Sequence, residues 1–336
     1  MAHGPDTPDT SDPGPLAWVH DEVQRSVADA TSALRRFSAA HQAARQTDLA
    51  SVDDADLRMA RQQLHQAVGA LEMVGLGAAA QLLRGLEGAV QRFVLKPDAC
   101  DGAALVAVER VSAALGDYLQ RRVRQRPVAD LQLYPAYRDA LTLAAAERIH
   151  PADLWHFDHH GVAMPPAPLA GPAPEYGPPL RAQLDRQVLP LVKSLDPGAA
   201  RELARLCLAL SAAVPPGQAS VPEAVSTFWR VAAGCFDAMA QGALPADVHT
   251  KRAASRVLLQ YAALAQGRAE VSEQLLHDLL YLCAQATPAE PDHAPAWRAV
   301  HQAFGLERHT PVDVERATLG QLDPGLLAEA QDWLRR

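Results

Sequence analysis

Apolar residues recur at spacings of three and four along most of this chain, the mark of helices that each reserve one face for a core. Leu16, Val19, Val23, Val27, Ala30, Leu34 and Phe37 draw the first stripe, and Pro15 suits its first turn. The acidic start Asp53-Asp54-Ala55-Asp56 can cap free backbone N–H groups, and it opens a second stripe of Leu57, Ala60, Leu64, Val68 and Leu71 that Gly75 and Gly77 end. Leu82, Leu83, Leu86, Val90 and Phe93 mark a third helix. Leu105, Val108, Leu115 and Leu119 mark a fourth, which runs into a basic stretch from Arg121 to Arg126 before Pro127 stops it. Short connections between four such stripes predict an antiparallel four-helix bundle over residues 15–126, because each stripe can bury only against its neighbours. Residues 1–14, rich in Pro, Asp, Thr and Ser, read as a disordered tail.

Residues 127–179 read as a connector, partly helical between Tyr134 and Trp155, and a linker, since seven of the nineteen residues from Gly161 to Pro179 are prolines. Periodicity returns at Leu184, Val188, Leu191 and Leu195, with Pro190 an expected kink, and again at Leu203, Leu206 and Leu210. Val225, Phe228, Trp229, Ala232, Phe236 and Met239 form a further stripe that Gly242 closes. Two more helices are expected over Val248–Ala265 and Val271–Ala286, giving a second helical bundle at 180–286. Residues 287–336 read as a weakly anchored helical segment, from Ala294 to Phe304 and in a last turn from Gly325 to Arg336. The expected fold is all-α, a four-helix bundle followed by a second helical bundle, with no convincing strand pair.

Composition narrows the function classes. Apolar residues make up 49% of the 336, ample for two cores, while aromatics are only 5%. The net charge is −8 and lysine occurs only at Lys96, Lys193 and Lys251, so nucleic acid is not an expected partner. Cys100, Cys207, Cys235 and Cys283 are widely spaced without a CxxC pair, which suits a reducing cytoplasm. No apolar run reaches the roughly 18–20 residues of a membrane span, and the acidic beginning lacks the pattern of a signal peptide. Phosphate-loop, dinucleotide, nucleophile-elbow and His-Glu-x-x-His patterns are all missing, so no cofactor and no self-phosphorylation are expected.

The candidate chemistry sits on the second helix. His65 precedes Gly69 by about one turn, so the imidazole has a neighbour without a side chain, and a second protein could approach it closely. Arg61 and Arg58 lie one and two turns before His65 and Glu72 two turns after it, a setting that favours added negative charge on the ring. The plainer reading is a histidine snorkelling at a helix edge. A second cluster, His156, Asp158, His159 and His160, offers imidazoles and a carboxylate but no fourth ligand at a defined spacing, and reads as a solvated loop with no metal expected.

The run from His65 to Leu76 resembles the signature of histidine-phosphotransfer domains, with His65, Ala67, Gly69, Val74 and Gly75 on matching positions and Val68 where the family carries a lysine. A wider resemblance is to the N-terminal, phosphotransfer-like region of the hybrid histidine kinases that control type IV pili and twitching, and to a related pilus scaffold protein. Leu64-His65-Gln66, Leu133-Tyr134-Pro135, His150-Pro151-Ala152, Phe228-Trp229-Arg230 and Lys251-Arg252-Ala253 carry it, in order, along most of the chain. That likeness implies a signalling module in which His65 accepts or relays a phosphoryl group, or a degenerate scaffold in which it does not. The implied partners are receiver domains, histidine kinase catalytic domains and pilus-polarity scaffold proteins.

Overall fold

The computed structural model describes residues 13–46, 53–162, 164–165, 171–268, 270–312, 314 and 319. The tail at 1–12 and the last turn at 325–336 lie outside these residues. Among those described there are eleven α-helices and no strand, in two compact units, the first reaching Trp155 and the second covering His156–Pro311.

In the first unit α1 (Pro13–Gln46), α2 (Ala55–Met73), α3 (Gly77–Leu95) and α4 (Gly102–Val123) follow the four expected stripes. The predicted apolar positions Val23, Leu34, Leu57, Leu64, Leu71, Leu83, Phe93, Val108 and Leu119 are all buried. Ends are set by local chemistry. Asp53 accepts from the Ala55 amide (3.0 Å) at the start of α2, and Asp101 accepts from the Ala104 amide (2.8 Å) at the start of α4. Gly75 adopts φ +74° and α2 closes with the Leu76 amide donating to the Leu71 carbonyl, a left-handed cap. Gly77, expected to share in that ending, instead begins α3.

The first unit also holds a fifth helix, α5 (Tyr134–Ala144), in the stretch read as connector. It packs against both α3 and α4. Gly85 and Gly88, one turn apart on α3, make this possible: a Cβ at Gly85 would stand 3.2 Å from Leu141 Cδ2, and one at Gly88 3.5 Å from Ala144 Cβ. Arg110 reaches from α4 to Asp139 on α5 (2.7 Å), and Tyr118 donates to Asp130 (2.5 Å), tying α4 to the turn that leads into α5.

The second unit contains α6 (Pro178–Ser194), α7 (Pro197–Leu210), α8 (Glu223–Ala240), α9 (Val248–Ala265), α10 (Glu273–Gln285) and α11 (Pro295–Ala303). Helix α6 runs through Pro190 to Ser194. Helix α8 is apolar on nearly every side and is correspondingly covered on every side, by α7, α10 and α11. Against the expectation of weak anchoring, α11 is fixed firmly to α8. Val300 and Leu306 are fully buried, and the Asp237 carboxylate on α8 accepts from the Ala296 amide (2.9 Å) and the Trp297 amide (3.3 Å), capping α11 from outside its own sequence.

The α8–α11 crossing depends on Gly234. A Cβ there would lie 2.6 Å from Val300 Cγ2, 3.1 Å from the Ala296 carbonyl oxygen and 3.3 Å from Trp297 Cα. Gly234→Ala is expected to force the helices apart and destabilise the protein by about 1–3 kcal/mol, read by urea denaturation of the full chain.

Candidate functional site

Helix α2 presents His65 from the flank of its buried stripe. Leu64, Ala67, Val68 and Leu71 turn inward, and the imidazole is 75% exposed. Its nearest partner comes from α3: Nδ1 lies 3.4 Å from Glu87 Oε2, and Glu87 is itself only 18% exposed. A carboxylate accepts only, so this contact places the ring proton on Nδ1 and leaves Nε2 as the free lone pair. Arg61 Nε donates to the other Glu87 oxygen at 3.3 Å, so one buried-side carboxylate links the histidine and the arginine.

The other residues expected around His65 are drawn away from it. Arg58 pairs with Asp54 (2.7 Å) and reaches Asp53 (3.6 Å) at the start of its own helix. Glu72 pairs with Arg84 across to α3. The expected positive surrounding is therefore largely neutralised, and the group touching the ring is an anion, which disfavours further negative charge there. Glu87 was not legible in the sequence. It lies 22 residues from His65, and only the α2–α3 crossing brings the two together.

Gly69 faces open space, with nothing within 4 Å of a Cβ built at that position. A glycine inside a helix costs about 1 kcal/mol relative to alanine, and no described residue packs against this one. Position 69 thus leaves an open gap one turn from His65. Gly69→Ala is expected to raise stability by about 0.5–1 kcal/mol in chemical denaturation.

The histidines of the second unit form a stack rather than a ligand set. His160 Nδ1 lies 2.7 Å from Asp158 and its Nε2 lies 3.6 Å from Glu273. His159 stacks on His160 at 5.1 Å and tilts against His277 at 5.6 Å, and Phe157 meets His309 edge-on at 5.0 Å. His156 is exposed. Among the described residues no group of three His, Cys, Asp or Glu side chains is placed to hold a metal ion. All four cysteines are free and buried. No described helix is long and apolar enough to cross a membrane.

Residues 170–317 match the family model described as the FimL scaffold protein second domain. The match takes in α6 to α11, so it falls on the second compact unit. No curated protein and no solved structure gives a match. The likeness to a scaffold protein is therefore carried by the second half of the chain.

Burial, reinforced by the charges of His277 and His160, pushes the His159 pKa down, while the hydrogen bond to Asp158 pushes that of His160 up. A lowered imidazole pKa means that the unfolded chain takes up the proton first as pH falls. His159 then costs stability below about pH 6.5 and His160, fully exposed, opposes it weakly. His159→Gln is expected to flatten the fall in thermal midpoint between about pH 7 and pH 5, and His160→Gln to steepen it slightly.

Proposed function

We propose that this chain is a protein-interaction scaffold of a type IV pilus chemotaxis-like pathway, working in the cytoplasm. One observation carries the reading: the second unit, helix for helix from α6 to α11, falls within the match to the FimL scaffold second domain. The first unit supports it from the other side. The arginines near His65 are engaged with carboxylates, and the ring's own neighbour is Glu87. The position taken by a lysine in phosphotransfer signatures is Val68, which is buried. What remains on that face is the open gap at Gly69, a shape suited to docking. Receiver domains and pilus-polarity scaffold proteins are the partners this reading implies.

A second reading is favoured by one feature, the Nδ1 contact that leaves Nε2 of an exposed imidazole free to act as a nucleophile. In that case Nε2 attacks the γ-phosphorus of ATP held by a separate kinase catalytic domain. The P–N bond forms as the bond to the ADP oxygen breaks, and a receiver aspartate later takes the phosphoryl group from the ring.

Complementation separates the two readings. In a twitching bacterium lacking this chain, His65→Gln is expected to restore motility as fully as the unaltered protein. Incubation of the chain with a cognate kinase domain and labelled ATP is expected to leave no acid-labile label at residue 65. Acid-labile label on the unaltered chain that is absent from a folded His65→Gln protein, together with failure of that variant to restore motility, would establish phosphotransfer in place of scaffolding.

A further inference from the structure

The second unit carries a cleft of about 410 Å³ where the start of α8, the approach to α10 and the segment around His160 meet. Three carboxylates line it, Glu223, Glu270 and Glu273, and no lysine or arginine does. Glu223 and Glu273 lie in the first turns of α8 and α10, where the helix dipole favours a negative charge. That accounts for two of the acids but not for Glu270, which precedes α10, nor for what lies beneath them. Thr227 is the one fully buried residue of the lining, 7% exposed, and its hydroxyl makes no hydrogen bond to any described residue. A hydroxyl in a helix ordinarily bonds back to the carbonyl one turn earlier, as Thr31 does to Val27 at 2.8 Å. Thr227 leaves that option unused at the bottom of a cleft with acidic walls. The hydroxyl is not one of the buried unsatisfied groups among the described residues, so it is reached from the cleft and can meet a group from outside.

Charge, size and the open hydroxyl together specify the occupant. We propose that the cleft receives the side chain of an arginine displayed by a partner protein, its guanidinium bonded by Glu223, Glu270 and Glu273 and its innermost N–H donated to the Thr227 hydroxyl. The planar fork of five donors serves several carboxylates and a hydroxyl at once, which a single ammonium does less well. Val271 and Leu276, on the same lining, give the methylene stem an apolar wall. Glu273 is already within 3.6 Å of His160 Nε2, so the side that faces this imidazole is the one already partly satisfied, and Glu223 and Glu270 carry most of the attraction. The proposal deepens the scaffold reading, on which it rests for the source of the arginine, by giving the second unit a specific chemical preference in its partner.

The test is titration of the full chain with the blocked peptide acetyl-Gly-Gly-Arg-Gly-Gly-amide, followed by methyl NMR at Val271 and Leu276. Saturable shifts at millimolar peptide are expected, weakened roughly tenfold or more when citrulline replaces the arginine, since the shape is kept and the charge is lost. Glu223→Gln with Glu270→Gln, both exposed positions, is expected to weaken binding by a similar factor, and Thr227→Val by a smaller one. Absence of saturation overturns the proposal, as does equal binding of the citrulline peptide or of the double variant. None of these outcomes alters the His65→Gln complementation result, so failure here is distinguishable from failure of the scaffold reading.

Discussion

How closely two helices approach is set by the side chains between them, and both units of this protein are built around crossings where a glycine removes that spacer. On α3, Gly85 and Gly88 let α5 settle with Leu141 and Ala144 almost against the backbone. On α8, Gly234 lets α11 come within contact of Val300, the Ala296 carbonyl and Trp297 Cα. Dispersion falls off steeply with separation, so a crossing at this distance gains contacts that a crossing one methyl group wider forfeits. The rest follows from these fits. The close approach of α11 brings its free amides to Asp237, which then stabilises the helix start from across the interface. Burial raises the pKa of that carboxyl, and the two amides act against the rise.

The two units use their surfaces differently. In the first, the α2–α3 crossing lays a string of charges along one face, Arg58 with Asp54, Arg61 with Glu87, and Glu72 with Arg84, with His65 standing out from the string. Exposed pairs of this kind add little to stability, so their effect is chiefly to fix side-chain geometry and cancel local field. In the second unit the acid at the head of α10, Glu273, has only the His160 imidazole near it, at 3.6 Å. Among the described residues no lysine or arginine lines the cleft that Glu223 and Glu270 border, and the Thr227 hydroxyl in it makes no hydrogen bond to a described residue. A neutralised face with a gap in it and a mainly acidic cleft differ in charge, and so suit recognition of chemically different groups.

Much of the helical plan was legible in the chain. Stripes of leucine, valine and alanine at spacings of three and four placed the cores of α1 to α4 and α8 to α10, and Val248–Ala265 coincides with α9 end for end. What escaped has specific causes. Helix α5 was legible only as partly helical text between Tyr134 and Trp155, and its membership of the first unit escaped because the cue was the Gly85 and Gly88 pair, meaningful only once a partner helix is known. Helix α11 was legible as a helical stretch from Ala294 to Phe304, and what escaped was its anchoring, which lies in Asp237, some sixty residues earlier. At the candidate site, His65 and Gly69 were readable because one helix carries both. Glu87 was not, and neither were the pairings that occupy Arg58 and Glu72.

The sequence by itself determined that this is an all-helical protein, where most of its helices run, and that one imidazole stands at a helix flank beside a glycine, because all of these depend on contacts within a turn or two of one helix. The tertiary structure alone decided which charges meet that imidazole, that a fifth helix joins the first unit, and that an acidic cleft with an unused hydroxyl opens in the second. Those depend on the register in which separate helices cross. Register is fixed by packing over the whole interface, and no local spacing encodes it.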